Sequence, residues 1–145
     1  MAKDRTETLA LLVADVYELA GALRRSGDEL AGRVRQSQAR WQLLSVASEG
    51  TWTVPEIAGR LGISRQAVQR VADVLAAEGL VRFADNPAHR RSPHVELTRS
   101  GRATLEHITE SSRDWRARLA AHFSGAELER TRDTLRRLLE QMRAE

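Results

Sequence analysis

Apolar residues recur every three or four positions along most of this chain, which is the period of an amphipathic α-helix. Helices are therefore predicted over residues 6–25, 38–48, from 55 onward, 64–78, 98–119 and from 126 to the end. Ser37 is predicted to cap the second helix, Ser124-Gly125 to interrupt the chain before the last one, and Leu119 to lie inside. Short β-branched and aromatic runs predict strands over residues 51–53, 80–84 and 94–97. The loop 85–93, in which two prolines and Asn86 break regular structure, joins the last two strands. The pattern predicts a mainly α-helical fold with a small β wing, a winged helix-turn-helix.

The segment 56–83 is the most informative part of the pattern. Gly62 can adopt the left-handed conformation that ends a helix, and Ser64 can cap the next one. The face predicted to point inward consists of Ala58, Leu61, Ile63, Val68, Val71, Ala72 and Leu75. The polar residues left outside are Arg65, Gln66, Gln69 and Arg70. Such side chains bind base edges and phosphates, and they stand where a recognition helix meets the major groove.

Composition limits the class of protein. With 145 residues and 41% hydrophobic content, the chain suits one domain with a real core. No apolar run approaches the ~20 residues needed to span a bilayer. The amino-terminal sequence MAKDRTETLA lacks the apolar centre of a signal peptide, so a cytoplasmic location is expected. The absence of cysteine excludes disulfides and thiolate metal sites.

The charge is unevenly placed. Residues 59–102 contain eight arginines against four acidic residues, a net charge of +4, whereas the rest of the chain carries −1. A local basic patch of this kind is what a polyanionic partner requires.

Enzyme chemistry is not predicted. The chain has no nucleophile elbow, no glycine loop that could cradle a phosphate and no paired catalytic carboxylates. Its histidines do not follow metal-ligand spacings. We therefore expect no catalytic residue, no metal and no cofactor.

With these residues placed, the chain resembles the MarR family of winged-helix transcriptional regulators, from about Leu9 to Met142. Each matching piece is short, but all of them occur in one order. The wing signature is the most specific piece, with arginines seven residues before a Leu-Thr-x-x-Gly helix start. The pieces are Ser37-Gln38, Trp41-Gln42-Leu43-Leu44, Val54-Pro55-Glu56-Ile57-Ala58, Leu61-Gly62-Ile63-Ser64-Arg65, Val68, Arg70, Leu75-Ala76-Ala77-Glu78-Gly79-Leu80-Val81, Arg90-Arg91, Val95-Glu96-Leu97-Thr98 and Gly101-Arg102.

The resemblance implies a repressor that binds a palindromic double-stranded DNA operator as a homodimer. It implies that the wing residues Arg90 and Arg91 contact the minor groove or the backbone. Ser64, at the N-terminus of the recognition helix, is expected both to cap the helix and to reach a phosphate. The family usually has an aspartate two residues before the wing-tip arginine. Here that position is His89, which cannot serve as an anionic partner of Arg91 but can contact a phosphate.

The resemblance also divides the chain. Residues 34–100 are expected to form the DNA-binding lobe, and residues 6–25 and 101–144 the helical dimerisation region, all within a single domain 1–145. The apolar stripes Leu9–Leu23 and Leu128–Met142 could instead be intramolecular core, although a dimer interface explains them better. Many relatives respond to aromatic ligands. The rings that could line such a pocket, or simply be core residues, are Tyr17, Trp41, Trp52 and Trp115.

Two other functions remain open from the sequence. A winged helix can serve protein–protein contact without any specific DNA site. A DNA-architectural protein would bind duplexes without sequence preference, with a steep dependence on salt.

Overall fold

Seven helices and three short strands form the part of the chain that the computed structural model describes, residues 4–145. They are α1 (Arg5–Gly32), α2 (Gln38–Ser48), β1 (Trp52–Thr53), α3 (Val54–Leu61), α4 (Arg65–Ala77), β2 (Val81–Ala84), β3 (His94–Leu97), α5 (Arg99–Ser111), α6 (Arg113–Ala120) and α7 (Gly125–Ala144). The predicted mainly α-helical fold with a small β wing is confirmed. The first three residues of the amino-terminal segment used to predict location lie outside the described residues. From residue 4 onward, no helix is both long and apolar enough to cross a membrane.

The chain divides into two compact units, which end and begin at residues 111 and 112. In the first unit, α1 to α5 and the sheet enclose a single hydrophobic core. Its largest fully buried apolar side chains are Leu43, Leu44, Ile57, Val68, Leu75, Val95 and Ile108. Each such side chain contributes about 1.5–3 kcal/mol by leaving water. Because Ile108 of α5 and Ala31 of α1 join this core, both helices pack onto the winged helix-turn-helix. The dimerisation role expected for residues 6–25 and 101–144 stays a prediction.

Helix α1 is longer than its sequence predicts. It does not end at Ser26-Gly27 but continues to Gly32, which places Leu30 in the core. Gly27 is buried, and a Cβ there would lie only 2.6 Å from Cγ of Gln38. The glycine therefore permits close packing of α1 against α2, and its intrinsic cost of about 1 kcal/mol in a helix does not end the helix.

Local capping sets the remaining helix starts in the first unit. The predicted cap of α2 is confirmed, since the Ser37 hydroxyl accepts a hydrogen bond from the Arg40 N–H. The helix α3 ends at Gly62, whose φ of 69° is left-handed, as predicted. At the start of the same helix, Thr53 and Glu56 form a reciprocal capping box. These bonds hold the helix-turn-helix in a defined geometry.

The sheet is antiparallel, with strand order β1-β3-β2. Strands β2 and β3 form the wing hairpin, with Val81 opposite Leu97 and Ala84 opposite His94. Strand β1 adds to the other side of β3 and pairs Thr53 with His94. The wing is thus hydrogen-bonded to the residue that caps α3.

The Leu-Thr-x-x-Gly motif joins the wing to α5. The Thr98 N–H donates to the Leu80 carbonyl at 3.1 Å, and the Thr98 hydroxyl donates to the Gly79 carbonyl at 2.6 Å. The same hydroxyl accepts the N–H of Gly101 at 3.1 Å and so caps α5. A Cβ on Gly101 would lie 1.9 Å from the Leu80 oxygen, so only glycine allows this approach.

The prediction of a single long helix over residues 98–119 is wrong, because α5 ends at Ser111 and α6 begins at Arg113. The Ser111 hydroxyl donates to the carbonyls of Ile108, at 2.8 Å, and Leu30, at 3.2 Å. Serine back-bonding of this kind competes with the helical ladder and favours a bend.

The second unit consists of α6 and α7. The interruption predicted at Ser124-Gly125 is confirmed, and Ser124 forms a capping box with Glu127 at the start of α7. Leu119 was predicted to lie inside, but 47% of its surface is exposed in the single chain. The other large exposed apolar side chains of this unit are Phe123, Leu128, Leu139 and Met142.

Candidate nucleic-acid interface

Helix α4 separates an apolar face from a polar one. Val68, Ala72 and Leu75 are at most 1% exposed and point into the core. The four predicted contact residues are all exposed on the opposite side: Arg65, Gln66, Gln69 and Arg70. At the start of the helix, the Ser64 hydroxyl accepts the Ala67 N–H at 3.0 Å, so the predicted cap is confirmed.

Ile63 does not belong to the inward face as predicted. It lies in the turn before α4 and is 46% exposed. Together with Leu23 of α1 and Gln42 of α2, it lines a cleft of about 350 Å³ in the first unit. The helical spacing placed Ile63 on the inward face, but the turn residues do not continue the helical period of α3.

The recognition helix and the wing share one cleft. Its volume is about 290 Å³, and Val54 and Pro55 at the start of α3 form part of its lining. Three of the predicted contact residues of α4, together with Arg91 and two further wing residues, complete its lining: Arg65, Gln66, Gln69, Arg91, Ser92 and Pro93. The remaining predicted residues, Arg70, His89 and Arg90, are exposed but do not line this cleft. Folding therefore brings two guanidinium groups from distant parts of the sequence to one concave surface.

These arginines carry unneutralised charge. Among residues 4–145, neither Arg65 nor Arg91 forms a salt bridge, whereas Arg82 pairs with Glu96 at 2.9 Å. A guanidinium without a carboxylate partner is free to bind a phosphate with two parallel hydrogen bonds. The cleft can thus attract and hold a polyanion.

A buried asparagine holds the wing loop. Asn86 is only 8% exposed, and its side-chain amide donates to the Ser92 carbonyl at 2.9 Å. The backbone carbonyl of Asn86 accepts the His89 N–H at 3.1 Å, and the backbone carbonyl of His89 accepts the Ser92 N–H at 3.0 Å. The sequence identified Asn86 only as a breaker of regular structure. Its cross-loop hydrogen bonds fix the part of the wing that presents Arg91.

We expect Asn86→Ala to lower the free energy of unfolding by about 1–2 kcal/mol, because the Ser92 carbonyl loses its donor. DNA affinity should fall as well, since the wing loop becomes mobile. Urea denaturation and DNA-binding titrations measure the two effects. The matched variant Asn86→Asp keeps the shape but cannot donate, so a fully stable Asn86→Asp protein would contradict this role.

Glu56 of the α3 capping box interacts electrostatically with Thr53 and with two histidines of the wing. The pKa of Glu56 lies below its ordinary value, chiefly because the Thr53 hydroxyl donates to its carboxylate at 2.8 Å. The Thr53 N–H donates to the same oxygen at 3.1 Å. The positive charges of His94 and His89 lower the pKa of Glu56 further.

A carboxyl pKa that is lowered in the folded state stabilises the fold at pH values above the ordinary glutamate pKa, about 4.3. This contribution is lost as the pH falls through the pKa of the folded state. We therefore expect Glu56→Gln to lower the free energy of unfolding by about 0.5–1 kcal/mol at pH 7. The difference from the wild type should shrink at pH 3. Denaturant titrations at both pH values check this. An undiminished difference at pH 3, or an equal effect of the exposed control Glu106→Gln, would contradict it.

The aromatic residues predicted as a ligand pocket lie in different settings. Tyr17 is 76% exposed on α1. Trp41 and Trp52 are half-buried and pack against the core of the first unit. Trp115 is half-buried in the second unit. Their joint role in a pocket stays a prediction. Within residues 4–145, no three histidine or acidic side chains are grouped so that they could hold a metal ion.

One positioning contact was not predicted. Arg40 of α2, 18% exposed, pairs with Glu78 at the end of α4, with 2.6 Å between Nη2 and Oε2. Its Nη1 also donates to Gln36 at 3.0 Å. This pair anchors the C-terminal end of the recognition helix. No local signal in the sequence could have revealed it, because its two residues are 38 positions apart.

Comparison with known proteins gives consistent results. The profile of the MarR family matches residues 36–92. Proteins described as uncharacterized from Mycobacterium tuberculosis and Mycobacterium bovis are 51% identical over 140 residues, covering 97% of this chain and 98% of theirs.

Solved structures share the fold. The transcriptional regulator BldR from Sulfolobus solfataricus matches with a TM-score of 0.84 and 21% identity, over 95% of this chain and 99% of its own. A mutant of MarR from E. coli complexed with operator DNA matches with a TM-score of 0.73 and 22% identity, over 94% of this chain and 99% of its own.

Proposed function

This chain belongs to the MarR family of transcriptional regulators, which are DNA-binding regulators and not enzymes, and from that premise we propose that it binds a specific double-stranded operator and represses transcription. The observation that carries the proposal is the cleft that Arg65 of the recognition helix and Arg91 of the wing both line, neither of them in a salt bridge among residues 4–145. A solved relative complexed with operator DNA supports the same partner.

In the proposed complex, α4 enters the major groove. Gln66, Gln69 and Arg70 contact base edges and phosphates, while Ser64 and Arg65 stand at the positive N-terminal end of the helix. The wing places Arg90 and Arg91 along the flanking minor groove, and His89 meets the backbone.

We propose that the operator is palindromic and that the protein binds it as a homodimer. The support is the apolar surface that each chain leaves uncovered. On α1 the exposed apolar side chains are Leu9, Leu11, Val13, Val16, Leu19 and Leu23. On α7 they include Leu128, Leu139 and Met142. Exposed large apolar side chains on two helices are typical of a subunit interface, and a two-fold axis would present two recognition helices one helical turn apart.

The test is fluorescence-anisotropy binding to the intergenic DNA that flanks the protein's own gene, with a scrambled duplex as control, at several salt concentrations. A preference of ~10³-fold or more for the native DNA supports the proposal. Equal and steeply salt-dependent binding to both duplexes would favour an architectural protein. No binding to either would favour a protein–protein interaction module.

We further propose that a small aromatic ligand lowers DNA affinity. The half-buried rings of Trp41 and Trp52 and the exposed ring of Tyr17, all in the first unit, support this, since ligand sites are commonly lined by aromatic side chains. Titration of tryptophan fluorescence with a panel of phenolic acids, followed by operator binding, tests the idea. Unchanged operator affinity across the panel would contradict it.

A further inference from the structure

Gln69 is held by a partner on its own helix. Its side-chain Nε2 donates to Oδ1 of Asp73 at 2.8 Å. The two residues are four positions apart, so they are neighbours on one face of α4. Gln69 lines the cleft between the recognition helix and the wing, and both side chains are exposed to an incoming ligand.

This hydrogen bond determines which way the amide of Gln69 points. An ionised carboxylate only accepts hydrogen bonds, so Asp73 can face the NH₂ group of the amide but not its oxygen. One N–H of Gln69 is then engaged with Asp73. The second N–H and the carbonyl oxygen remain available on the outer side.

That remaining pair of groups matches one base. Adenine presents an acceptor at N7 and a donor at its N6 amino group in the major groove, and glutamine reads it with one N–H and one carbonyl oxygen. A glutamine whose amide rotates freely can also offer its groups in the reverse order. The contact with Asp73 removes that freedom before DNA binds.

We propose that Asp73 is a positioning residue that orients Gln69 for adenine, so that the operator carries an adenine at one defined position of each half-site. This inference rests on the proposed DNA-binding function. It assigns a specificity role to an acidic residue on a face that otherwise attracts phosphates.

The negative charge of Asp73 separates this role from a general contribution to affinity. A carboxylate beside DNA repels phosphates, so its removal should leave overall affinity equal or higher. Base preference at the adenine position should nevertheless fall. Loss of a residue that merely stabilised α4 would not lower the base preference while leaving the overall DNA affinity equal or higher.

The experiment is selection of bound DNA from a randomised duplex library by the full-length wild-type protein and by Asp73→Ala, Gln69→Ala and the double variant. Asp85→Ala, an exposed wing residue of the same charge, is the matched control. We expect the wild type to enrich adenine at one half-site position. Preference there should fall about tenfold in all three variants, with no further loss in the double variant and no loss in the control.

Three results would overturn the inference. Asp73→Ala could retain the full preference for adenine while Gln69→Ala loses it. Asp73→Ala could instead lose a preference for cytosine at another operator position, which would mean that Asp73 reads the amino group of that base directly. Failure of the wild type to enrich any sequence would refute the proposed function itself, and the inference with it. Circular dichroism of the variants verifies that each one is folded.

Discussion

Replacing Gly101 with alanine is expected to lower the free energy of unfolding by about 2–3 kcal/mol, because a Cβ would lie 1.9 Å from the carbonyl oxygen of Leu80. The obstacle is backbone, so a side-chain rotation cannot remove it. The start of α5 must instead move away from Leu80. That movement strains the hydrogen bond from the Thr98 N–H to the same oxygen. Urea denaturation at a fixed chain concentration measures the loss.

The matched control is Gly59→Ala. Gly59 is exposed within α3, and nothing lies within 4 Å of the place its Cβ would take. There alanine should raise the free energy of unfolding by about 0.5–1 kcal/mol, since glycine is the poorer helix former. Equal stability changes at the two glycines would show that close approach to Leu80 is not what Gly101 provides. Because β2 starts beside this junction, Gly101→Ala should also displace the wing and weaken DNA binding.

The second large effect is expected from the two arginines of the cleft. Arg65→Ala and Arg91→Ala should each lower DNA affinity by about tenfold, and the double variant by about a hundredfold. Each single change should also reduce the slope of log affinity against log salt by about one, because one phosphate contact is lost. Anisotropy titrations between low and physiological salt measure both quantities.

Arg82→Ala provides the control for charge alone. It removes a guanidinium from the same hairpin, but one that Glu96 already neutralises and that does not line the cleft. Its affinity and salt slope should stay close to those of the wild type. Arg91→Lys should keep most of the salt slope but lose affinity, because an ammonium cannot form the paired hydrogen bonds of a guanidinium. If Arg82→Ala lowered DNA affinity and the salt slope as much as Arg91→Ala does, a specific role for the cleft would be contradicted.

Much of the fold was predictable because its signals are local. Ser37, Gly62 and Ser64 act within four residues of their own positions, by capping or by left-handed backbone geometry. The strands of the wing followed from β-branched residues and the two prolines between them. Helical periodicity likewise placed Val68, Ala72 and Leu75 inside, which left the polar residues of α4 outside. Information of this kind does not depend on the rest of the chain.

The two errors in helix boundaries have a common physical origin. Helix α1 passes through Gly27 because packing against Gln38 outweighs a weak local tendency to stop. The helix predicted through Ser111 and Ser112 breaks where the Ser111 hydroxyl bonds two carbonyls, one of them 81 positions away. Ile63 and Leu119 follow an apolar period, yet the single chain leaves both largely exposed. At both helix boundaries a tertiary contact outweighs a local preference of about 1 kcal/mol or less. Ile63 was misassigned because the turn after α3 does not continue the helical period.

The sequence by itself determined the class of fold, the two faces of the recognition helix and the excess of arginine over residues 59–102. Only the tertiary structure decided which of those residues meet. Arg65 and Arg91 share a cleft because β1, which directly precedes α3, pairs with β3 of the wing, and because Asn86 holds the loop between β2 and β3. Arg40 and Glu78 likewise meet only after α2 packs on α4. Contacts between distant residues depend on the packing of the whole core, and no short stretch of sequence encodes them.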